Sequence, residues 1–276
     1  MLNKKGISHE DFLFFKDKIF DLSGIHFSEK KQDLVSSRIQ SFMLKNAIPS
    51  FFEFRSLIER SDGSSELIQD FINLLTTNKT NFFREPAHFD FLVANLIPRW
   101  LISGKRTIQA WSCAASTGEE PYSLAMVLDR HLNGLVRFNI LATDIDTKVL
   151  KTARNGVYPN TKIAEIPEKY QQKYINHGKK NAEGFFKVTD HLHSCVQFKK
   201  HNLIERSNLN HERFDLIFCR NVLIYFEPNT IQKLTEKFHQ ALKPDGMLFI
   251  GHSESLQGHQ SKFRSIQPSI FQKIEG

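Results

Sequence analysis

The sequence predicts an α/β protein in which an all-α domain precedes a mostly parallel sheet that carries a small antiparallel β insertion. Three observations predict this fold class. Apolar residues recur at helical spacing up to about residue 75. From about residue 90, strand-like segments alternate with helical ones, which is typical of a parallel sheet covered on both faces. One of these strands, "FDLIFC" (214–219), shows no polar–apolar alternation, as expected for a strand buried on both sides.

Residues 1–75 are predicted to form a domain of four short helices. Gly24 ends the first apolar stripe, Ser28 starts the second, and Pro49 and "DGSS" (62–65) precede the third and fourth. Each stripe gives its helix one apolar face, and four such faces can bury a small core. The stripes consist of Phe12, Phe15, Ile19 and Leu22; Leu34, Val35, Ile39 and Phe42; Phe51, Phe54, Leu57 and Ile58; and Leu67, Phe71, Leu74 and Leu75.

Residues 91–276 are predicted to form the second domain, joined to the first by a linker over 76–90. Strands are predicted at 107–112, 138–146, 195–202, 214–221, 246–251 and 269–274, and helices at 121–132, 146–157 and 230–242. Residues 158–200 are predicted as a β insertion. The alternation stops over 158–194, and Gly and Asn residues around "FFKV" and "CVQF" indicate short antiparallel strands.

Composition limits the class of protein. The 276 residues are 40% hydrophobic and 24% charged, and no apolar run approaches the ~18 residues that a membrane-spanning helix needs. The start, "MLNKKGISHEDF", lacks the apolar segment of a signal peptide. Cys113, Cys195 and Cys219 are too few and too scattered for a disulfide framework or a zinc site. These features predict a cytoplasmic protein with no metal site and no direct membrane insertion.

The positive charge is concentrated in one segment. The whole chain has a formal charge of +7, and residues 151–200 hold ten Lys or Arg against four Asp or Glu. Such a segment indicates an acidic partner, which could be nucleic acid, an acidic peptide or anionic lipid, or it is a solvated surface with no partner. The second helix also has basic residues on its polar side, which are either solvated or a docking surface for an acidic helix: Lys30, Lys31, Arg38 and Lys45.

Polar side chains follow each of the first four predicted strands, where open α/β sheets bind their ligands. The first strand leads into "SCAASTGEEP", in which Gly118 permits a sharp turn and the acids Glu119 and Glu120 argue against a phosphate ligand. Taken alone, this loop is at least as consistent with a structural turn. Asp144, at the end of the second strand, can accept both hydroxyls of a ribose, or it can cap the next helix.

The third and fourth strands add groups that suit adenosine. Asn202 ends the third strand, and its amide can both donate to and accept from an adenine edge. Arg220 and Asn221 end the fourth strand. Each residue separately has a structural explanation, but four strand ends in order, each with a small or polar group suited to adenosine, predict a nucleoside-type ligand.

The linker contains an unusual segment, "TTNKTNFFREP" (76–86), with short polar side chains, two adjacent rings and a guanidinium. Together with "WSCAASTGEEPYSLA", "ATDID", "FDLIFCRNVLIYF" and "LKPDGMLFIGHSESL", it resembles the CheR family of chemotaxis receptor methyltransferases. The resemblance covers nearly the whole chain. It implies a Rossmann-like class I S-adenosylmethionine-dependent methyltransferase domain behind the helical domain. It also implies S-adenosylmethionine as methyl donor and glutamate side chains of chemoreceptors as acceptors, which would yield glutamate methyl esters for sensory adaptation.

The resemblance also implies roles for particular residues. The cofactor is expected against Asn78, Thr80, Arg84, Glu119, Asp144, Asn202, Leu203, Arg220 and Asn221. The expected partners are the cytoplasmic domains of transmembrane chemoreceptors, and a receptor's C-terminal peptide is a further partner that the β insertion could bind. Two positions depart from the family pattern: Cys113 replaces a small residue, and Lys180 interrupts the glycine-rich turn of members that bind this peptide.

The chemistry of methyl transfer suggests how the linker acts. A glutamate is already ionised at neutral pH, so positioning and removal of water matter more than a general base. Arg84 can orient a carboxylate through its planar fork of donors, and we assign it and Tyr225 catalytic roles. Four rings are expected to surround the methyl group, those of Phe82, Phe83, Tyr225 and Phe226, although the first two could instead belong to the core. Arg38 and Lys45 are the candidate receptor contacts.

Two other functions fit parts of the sequence. The basic insertion permits a methyltransferase that acts on nucleic acid, but "CRNVLIYF" (219–226) stands where an N-P-P-Y-type base-acceptor motif would follow the fourth strand. A regulatory or scaffold protein could use the same fold to bind S-adenosylmethionine without turnover. The presence of Arg84 and Tyr225 favours an enzyme, and we expect no nucleic-acid partner.

Overall fold

The amino-terminal part of the chain is a bundle of four α-helices in the computed structural model, which describes residues 6–205, 213–256, 258 and 262–274. The helices are α1 (His9–Ser23), α2 (Gln32–Lys45), α3 (Phe51–Arg60) and α4 (Glu66–Leu75). Their apolar faces form one core, in which the rings of Phe15, Phe54 and Phe71 contact one another. The prediction of four amphipathic helices is confirmed.

Capping residues set the ends of these helices. Ser8, Ser50 and Ser65 precede α1, α3 and α4, and each hydroxyl accepts a hydrogen bond from the backbone N–H three residues further on. Gly24 ends α1 in the left-handed conformation, with φ of 74°. A Cβ at Gly24 would lie 2.7 Å from the Ile204 side chain, so this glycine also permits close approach of the second domain.

The second domain is built on a seven-stranded mixed sheet. Its strands are β1 (Thr107–Ser112), β2 (Arg137–Asp144), β6 (Val196–Lys200), β7 (Phe214–Cys219), β8 (Leu242–Ile250), β9 (Phe263–Gln267) and β10 (Ile270–Lys273). The spatial order is β6-β2-β1-β7-β8-β10-β9, and β10 alone runs antiparallel to its neighbours β8 and β9. Successive residues of β7 enter two different cores, which confirms a strand buried on both faces.

Helices cover the sheet and position its loops. They are α5 (Ala87–Phe91), α6 (Ile97–Ile102), α7 (Glu119–Leu132), α8 (Thr147–Asn155), α9 (Glu168–Tyr174), α10 (Asp190–Ser194) and α11 (Pro228–Ala241). Apolar residues of α7 belong to one core and those of α11 to the other. The sheet order and this two-sided cover confirm the predicted Rossmann-like α/β class.

The β insertion is a separate antiparallel sheet. Its strands β3 (Val157–Pro159), β4 (Ile175–His177) and β5 (Phe185–Val188) have the order β3-β5-β4. The "CVQF" segment (195–198) was assigned both to this insertion and to the main sheet. It lies in the main sheet, because Val196–Lys200 pairs in parallel with β2.

Several elements were not predicted. The strand β9 was missed because it is an edge strand with four exposed residues in succession. The segment 87–102 was not read as helical, although it forms α5, a π-helical turn (Leu92–Leu96) and α6. The short helices α9 and α10 lie within the β insertion, in which short strands but no helices are predicted.

Candidate active site

A cavity lies at the carboxyl ends of the central strands, between the sheet and the helical bundle. Three parts of the chain line it: the end of α1 with the loop behind it, the linker after α4, and the loops that follow β1, β2, β6 and β7. Its lining includes Ser23, Ile25, Phe27, Thr76, Thr77, Asn78, Thr80, Arg84, Cys113, Ser116, Glu120, Asp144, His201, Asn202, Leu203, Arg220, Asn221, Tyr225 and Phe226. The cavity therefore lies where an open α/β sheet is expected to bind its ligand, outside the carboxyl ends of its parallel strands.

The loop after β1 needs a tight turn to reach α7. Gly118 has φ of 99°, and a Cβ there would lie 2.8 Å from the Tyr158 hydroxyl and 3.0 Å from the Ala153 Cβ. Ser116 also has a positive φ, 48°, and its backbone N–H points at Asp144. These conformations let the loop pack closely against α8 and open its backbone toward the cavity.

Asp144 is the acidic group at the end of β2. Its Oδ2 accepts from the Ser116 N–H at 2.7 Å and its Oδ1 from the Asp146 N–H at 2.9 Å. Burial raises the pKa of Asp144 to about 6, although these backbone donors act to lower it. A carboxylate has lone pairs beyond the two in use, so Asp144 can still accept from ligand hydroxyls.

Arg220 is the buried cation of the site, with 1% of its side chain exposed. Its Nη2 lies 3.0 Å from Glu85 Oε2, and its Nη1 lies 3.4 Å from Glu120 Oε2. The same Nη2 also donates to the Arg84 carbonyl. Arg220 thus ties the linker to the end of β7 and to the first turn of α7.

Two partly buried glutamates hold the loop that follows β7. Glu85 accepts from the Asn221 side-chain amide at 3.1 Å. Burial alone would raise the pKa of Glu85, but Arg220, Asn221 and the His252 N–H together lower it. Glu254 accepts from the N–H groups of Asn221 and Gly251, at 2.8 and 2.6 Å. Asn221 can therefore keep its positive φ of 59°, which directs the chain toward Tyr225.

The linker is fixed against the second domain by a set of polar contacts. The Asn78 amide donates to Asp146 Oδ2 at 2.7 Å, and the Thr76 hydroxyl donates to the same oxygen at 2.8 Å. The Ser116 hydroxyl donates to the Asn78 carbonyl at 2.8 Å. Asp146 also caps α8 through its other oxygen. The loops after β1 and β2 therefore hold the start of the linker over the cavity.

Arg84 and Tyr225 both line the cavity, Arg84 from the linker and Tyr225 from the loop after β7. Arg84 is exposed, and its Nη1 donates to the Lys79 carbonyl at 3.0 Å. Tyr225 is partly exposed, and its carbonyl accepts from the His26 N–H at 2.8 Å. Both side chains can meet a second ligand that approaches from solvent.

The structure brings together most of the residues expected at the cofactor. Glu119 is the exception, because its carboxylate lies 2.6 Å from Lys162 Nζ and accepts from Thr117. Glu120 lines the cavity at this turn instead, and a contact between Glu119 and a cofactor stays a prediction. The residues that do line the cavity are Asn78, Thr80, Arg84, Asp144, Asn202, Leu203, Arg220 and Asn221.

Asn202 is already used in the structure. Its side-chain amide donates to the Leu22 carbonyl at 2.8 Å, and its oxygen accepts from the Ile204 N–H at 3.3 Å. The expected amide contact with an adenine edge would therefore compete with these bonds. Asn202 joins α1 to the loop after β6, and Leu203 next to it contributes an apolar wall.

Two expectations for the linker and the helical domain are corrected. Phe82 and Phe83 do not wall the cavity: they are 3% and 9% exposed and belong to the core of the second domain. Phe82 packs on Tyr158 and Phe83 stacks on Tyr170, so these rings attach the linker to the insertion and its neighbouring helix. Their apolar area and adjacent core partners outweigh any contact with a methyl group.

Arg38 does not belong to a free basic face. Its Nη1 donates to the carbonyls of Leu75 and Thr76 at 2.9 and 2.8 Å, at the carboxyl end of α4. Burial lowers the pKa of Arg38, as expected for a guanidinium packed against this helix end. Lys45 is exposed, so it remains available for a partner.

Sequence reasoning missed Glu85, Glu120 and Glu254 as site residues. In the sequence Glu85 is a single acidic residue in front of a proline. Only its ion pair with Arg220 shows that it lies beside the cavity. Residues at the end of α1 and in the loop behind it, Ser23, Ile25 and Phe27, were also missed. A possible indication was Gly24, because a glycine that ends a helix can permit close approach of another segment.

The donor set fits S-adenosylmethionine. The buried carboxylate of Asp144 suits ribose hydroxyls, and Arg84 and Arg220 offer guanidinium groups to a carboxylate. Among the polar residues of the lining, Cys113, Ala114 and Leu203 contribute apolar surface.

Comparisons with known proteins agree with this donor set. The family model "CheR methyltransferase, SAM binding domain" matches residues 78–271, and "CheR methyltransferase, all-alpha domain" matches residues 10–76. The chain is 39% identical over 262 residues to a chemotaxis protein methyltransferase of Borreliella burgdorferi, covering 92% of this chain and 91% of that protein. It is 38% identical over 264 residues to the Escherichia coli protein of the same name, covering 95% and 90%.

A solved TehB-like SAM-dependent methyltransferase from Corynebacterium glutamicum matches 68% of this chain and 97% of its own, at 14% identity and a TM-score of 0.37. That similarity is too low to add to the description of the site. The described residues contain no helix long and apolar enough to cross a membrane.

The fold and the strand-end cavity define a methyltransferase that uses S-adenosylmethionine as its cofactor. Both matching family models are those of CheR methyltransferases, and the relatives of similar length are named chemotaxis protein methyltransferases. The chain belongs to the CheR methyltransferase family.

Proposed function

We propose that this protein transfers a methyl group from S-adenosylmethionine to glutamate side chains in the cytoplasmic domains of chemoreceptors, forming methyl esters. The observation that carries the proposal is the lining of the cavity, where the linker residues Asn78, Thr80 and Arg84 meet the ends of β1, β2 and β7. Relatives of 38–39% identity are named chemotaxis protein methyltransferases. The cytoplasm is the compartment in which such an enzyme would meet these receptor domains.

The mechanism we propose relies on positioning. The bound cofactor supplies an electrophilic methyl group on a positively charged sulfur. A receptor glutamate is ionised at neutral pH, with an ordinary pKa of about 4.3, so no general base is needed. Arg84 orients the incoming carboxylate, while Tyr225 and Phe226 exclude water from it. Arg220 is held by Glu85 and Glu120 and keeps the loop after β7 in place.

The acceptor can be tested directly with methyl-labelled S-adenosylmethionine. We expect label to enter receptor-containing membranes and not nucleic acid, because the cavity presents an orienting guanidinium to a carboxylate. Label in nucleic acid would support the alternative acceptor. Cofactor binding without label in either fraction would support a regulatory or scaffold protein.

Arg84→Lys is expected to reduce turnover by about a hundredfold, because lysine keeps the charge but loses the planar fork that aligns a carboxylate. Tyr225→Phe is expected to be milder, since it keeps the ring and removes one hydroxyl. Initial rates at saturating cofactor would measure both effects. An Arg84→Lys protein with an unchanged melting temperature and near-normal turnover would contradict the orienting role.

The exposed basic residues at the start and end of α2, Lys31 and Lys45, are proposed to contact acidic receptor helices. Arg38 cannot test this contact, because its reversal would release the linker. Lys31→Glu with Lys45→Glu is expected to raise the apparent KM for receptor roughly two- to tenfold at low salt and to flatten its salt dependence.

The matched control for this pair is Lys151→Glu with Lys233→Glu, two exposed lysines on α8 and α11. It changes the net charge equally and is expected to leave the KM for receptor close to the parent value. S-adenosylhomocysteine affinity should be the same in both double variants. Equal receptor kinetics in the two variants would show that the α2 lysines are only solvated.

The β insertion is the proposed site for a receptor's C-terminal peptide. Because β5 is central, β3 and β4 each have an open edge among the described strands, and an extended peptide could pair with one of them. The insertion also presents exposed lysines, including Lys179, Lys180 and Lys187, to an acidic peptide. The Asp190 carboxylate lies 2.7 Å from Lys187 Nζ, so Lys187 would have to exchange this partner.

A further inference from the structure

Beside the cavity lies a cluster of potential metal ligands with two histidines that the proposed mechanism does not use. Glu85, His88 and His252 each offer one ligand atom, and these atoms all lie within 4.8 Å of one another. Glu85 comes from the linker, His88 from α5 and His252 from the loop after β8. Two parts of the chain, the segment 85–88 and the loop after β8, therefore converge next to Arg220.

Hydrogen bonding fixes the state of the His88 ring. Ser269 Oγ donates to the Pro268 carbonyl at 2.6 Å, so its hydrogen is used. With the hydroxyl hydrogen directed at this carbonyl, the His88 Nε2, at 2.9 Å from the Oγ, is the donor to it. In a neutral ring, Nδ1 is left with a lone pair, and among the described residues it has no hydrogen-bond partner.

This lone pair points into the cluster. The His88 Nδ1 lies 3.6 Å from Glu85 Oε2, and the His88 side chain is only 1% exposed. The His252 ring lies across His88 in an edge-to-face arrangement, with ring centroids 4.8 Å apart. Two acceptor atoms that face each other in a buried place are unfavourable unless a proton or a metal cation lies between them.

The charge around the cluster also favours a cation. Arg220 faces two carboxylates, those of Glu85 and Glu120. A third carboxylate, Glu254, accepts from the backbone next to Arg220. One guanidinium thus stands among three acidic side chains, so an added positive ion would reduce the imbalance.

We propose that Glu85, His88 and His252 bind a divalent transition-metal ion of the zinc class, and that this binding weakens cofactor binding. Zinc takes two imidazole nitrogens and a carboxylate oxygen at about 2.0–2.2 Å, which places tetrahedral ligand atoms about 3.4 Å apart. The separation of 3.6 Å between His88 Nδ1 and Glu85 Oε2 already approaches that value. His252 is exposed and can turn its ring toward the ion.

The inhibition follows from the partners that Glu85 would give up. Glu85 Oε2 is the oxygen paired with Arg220, and Oε1 accepts from the Asn221 amide. An ion bound to Glu85 competes with Arg220 for the same carboxylate. Since Arg220 and Asn221 both line the cavity, their release would disturb the cofactor site. This second half of the proposal assumes that the cofactor binds there, whereas metal binding itself does not.

The test uses the full-length, chelator-stripped protein. Equilibrium dialysis against ZnCl₂ is expected to give one tightly bound zinc per chain, and His252→Gln is expected to weaken it by at least ten- to a hundredfold. His177→Gln, which removes an exposed histidine of β4, is the matched control and should bind zinc like the parent. Magnesium should not bind at comparable concentration, because it prefers an all-oxygen octahedral shell.

Calorimetric titration with S-adenosylhomocysteine tests the coupling. Zinc at saturation is expected to lower this affinity at least tenfold in the parent and in His177→Gln, and to have little effect in His252→Gln. Equal zinc binding by both histidine variants would overturn the site. Zinc binding that is lost in His252→Gln but leaves S-adenosylhomocysteine affinity unchanged in the parent would overturn the coupling.

Discussion

Replacing Arg220 by methionine is expected to destabilise the protein by about 3–5 kcal/mol and to weaken S-adenosylhomocysteine binding by roughly a hundredfold. Methionine fills similar space, but it leaves the buried carboxylates of Glu85 and Glu120 without their cation. Removal of one partner from a buried ion pair costs energy on this scale. The binding loss has a separate cause, because Arg220 lines the cavity and fixes the linker through the Arg84 carbonyl.

The matched control is Arg154→Met, which removes an exposed arginine whose Nη2 donates to the Phe198 carbonyl at 3.3 Å. Denaturant unfolding and calorimetry should show small changes for this variant. An Arg220→Met protein with nearly the parent's stability would refute the view that Arg220 compensates both glutamates. Nearly unchanged ligand affinity would remove Arg220 from the proposed cofactor site.

Asp144→Asn is expected to weaken S-adenosylhomocysteine binding about ten- to a hundredfold, which corresponds to about 1.5–3 kcal/mol. Asparagine has one acceptor oxygen, whereas the two oxygens of Asp144 accept from the N–H groups of Ser116 and Asp146. The substituted amide would therefore oppose one backbone donor and leave fewer acceptor sites for ribose. Calorimetric titration measures the affinity, and a thermal melt shows whether the two loops remain folded.

Asp215→Asn is the control for the effect of altering a buried aspartate. Asp215 accepts from the Gln109 N–H at 2.8 Å and pairs with Lys243 at 2.7 Å, and it does not line the cavity. The Asp215→Asn protein should therefore be less stable than the parent but should bind S-adenosylhomocysteine with the same affinity. If Asp144→Asn keeps full affinity in a folded protein, Asp144 does not bind the ligand.

The pH dependence of Asp144 gives a second readout. Its folded pKa of about 6 lies above its ordinary value of 3.8. A raised pKa means that its contribution to stability is fully present below about pH 4 and is lost as the pH rises through about 6. Ligand affinity should change in the opposite sense, because ribose hydroxyls need the ionised acceptor. We expect parent affinity to fall as the pH drops below 6, and Asp144→Asn to lack this fall.

The elements that could be predicted from sequence are those with strong periodicity. The four apolar stripes of residues 1–75 and the mostly apolar strand β7, which does not alternate with polar residues, predict which faces are buried. The edge strand β9 has only Phe263 buried, so its sequence carries little information about its structure. The segment 87–102 reads as a mixed apolar run because both α5 and α6 contribute to the same core.

The residues of the candidate site that could be predicted from the sequence are those that directly follow a strand. Asp144, Arg220 and Asn221 follow buried strands, and parallel strands bring their carboxyl ends to one edge of the sheet. Contacts that depend on tertiary pairing could not be derived in this way. Arg38 bonds the end of α4 and Glu85 bonds Arg220, and both pairs join parts of the chain far apart in sequence.

The two rings of the linker show another reason why a prediction from sequence can be wrong. Polar neighbours on both sides suggested that Phe82 and Phe83 were exposed to a ligand. Each instead enters the core against an aromatic residue of 158–170, which the sequence places more than seventy residues later. Adjacent rings in a polar segment thus indicated an anchor, while the neighbouring Arg84 remained at the cavity.

The measurement that tests the central claim most directly is release of labelled methanol from receptors. Receptor membranes would be incubated with the protein and methyl-labelled S-adenosylmethionine, and then treated with mild alkali. A glutamate methyl ester predicts volatile labelled methanol that forms with the parent protein and falls about a hundredfold with Arg84→Lys. Label that enters receptor protein but resists alkali, or that is unaffected by Arg84→Lys, would contradict transfer to a carboxylate oriented by Arg84.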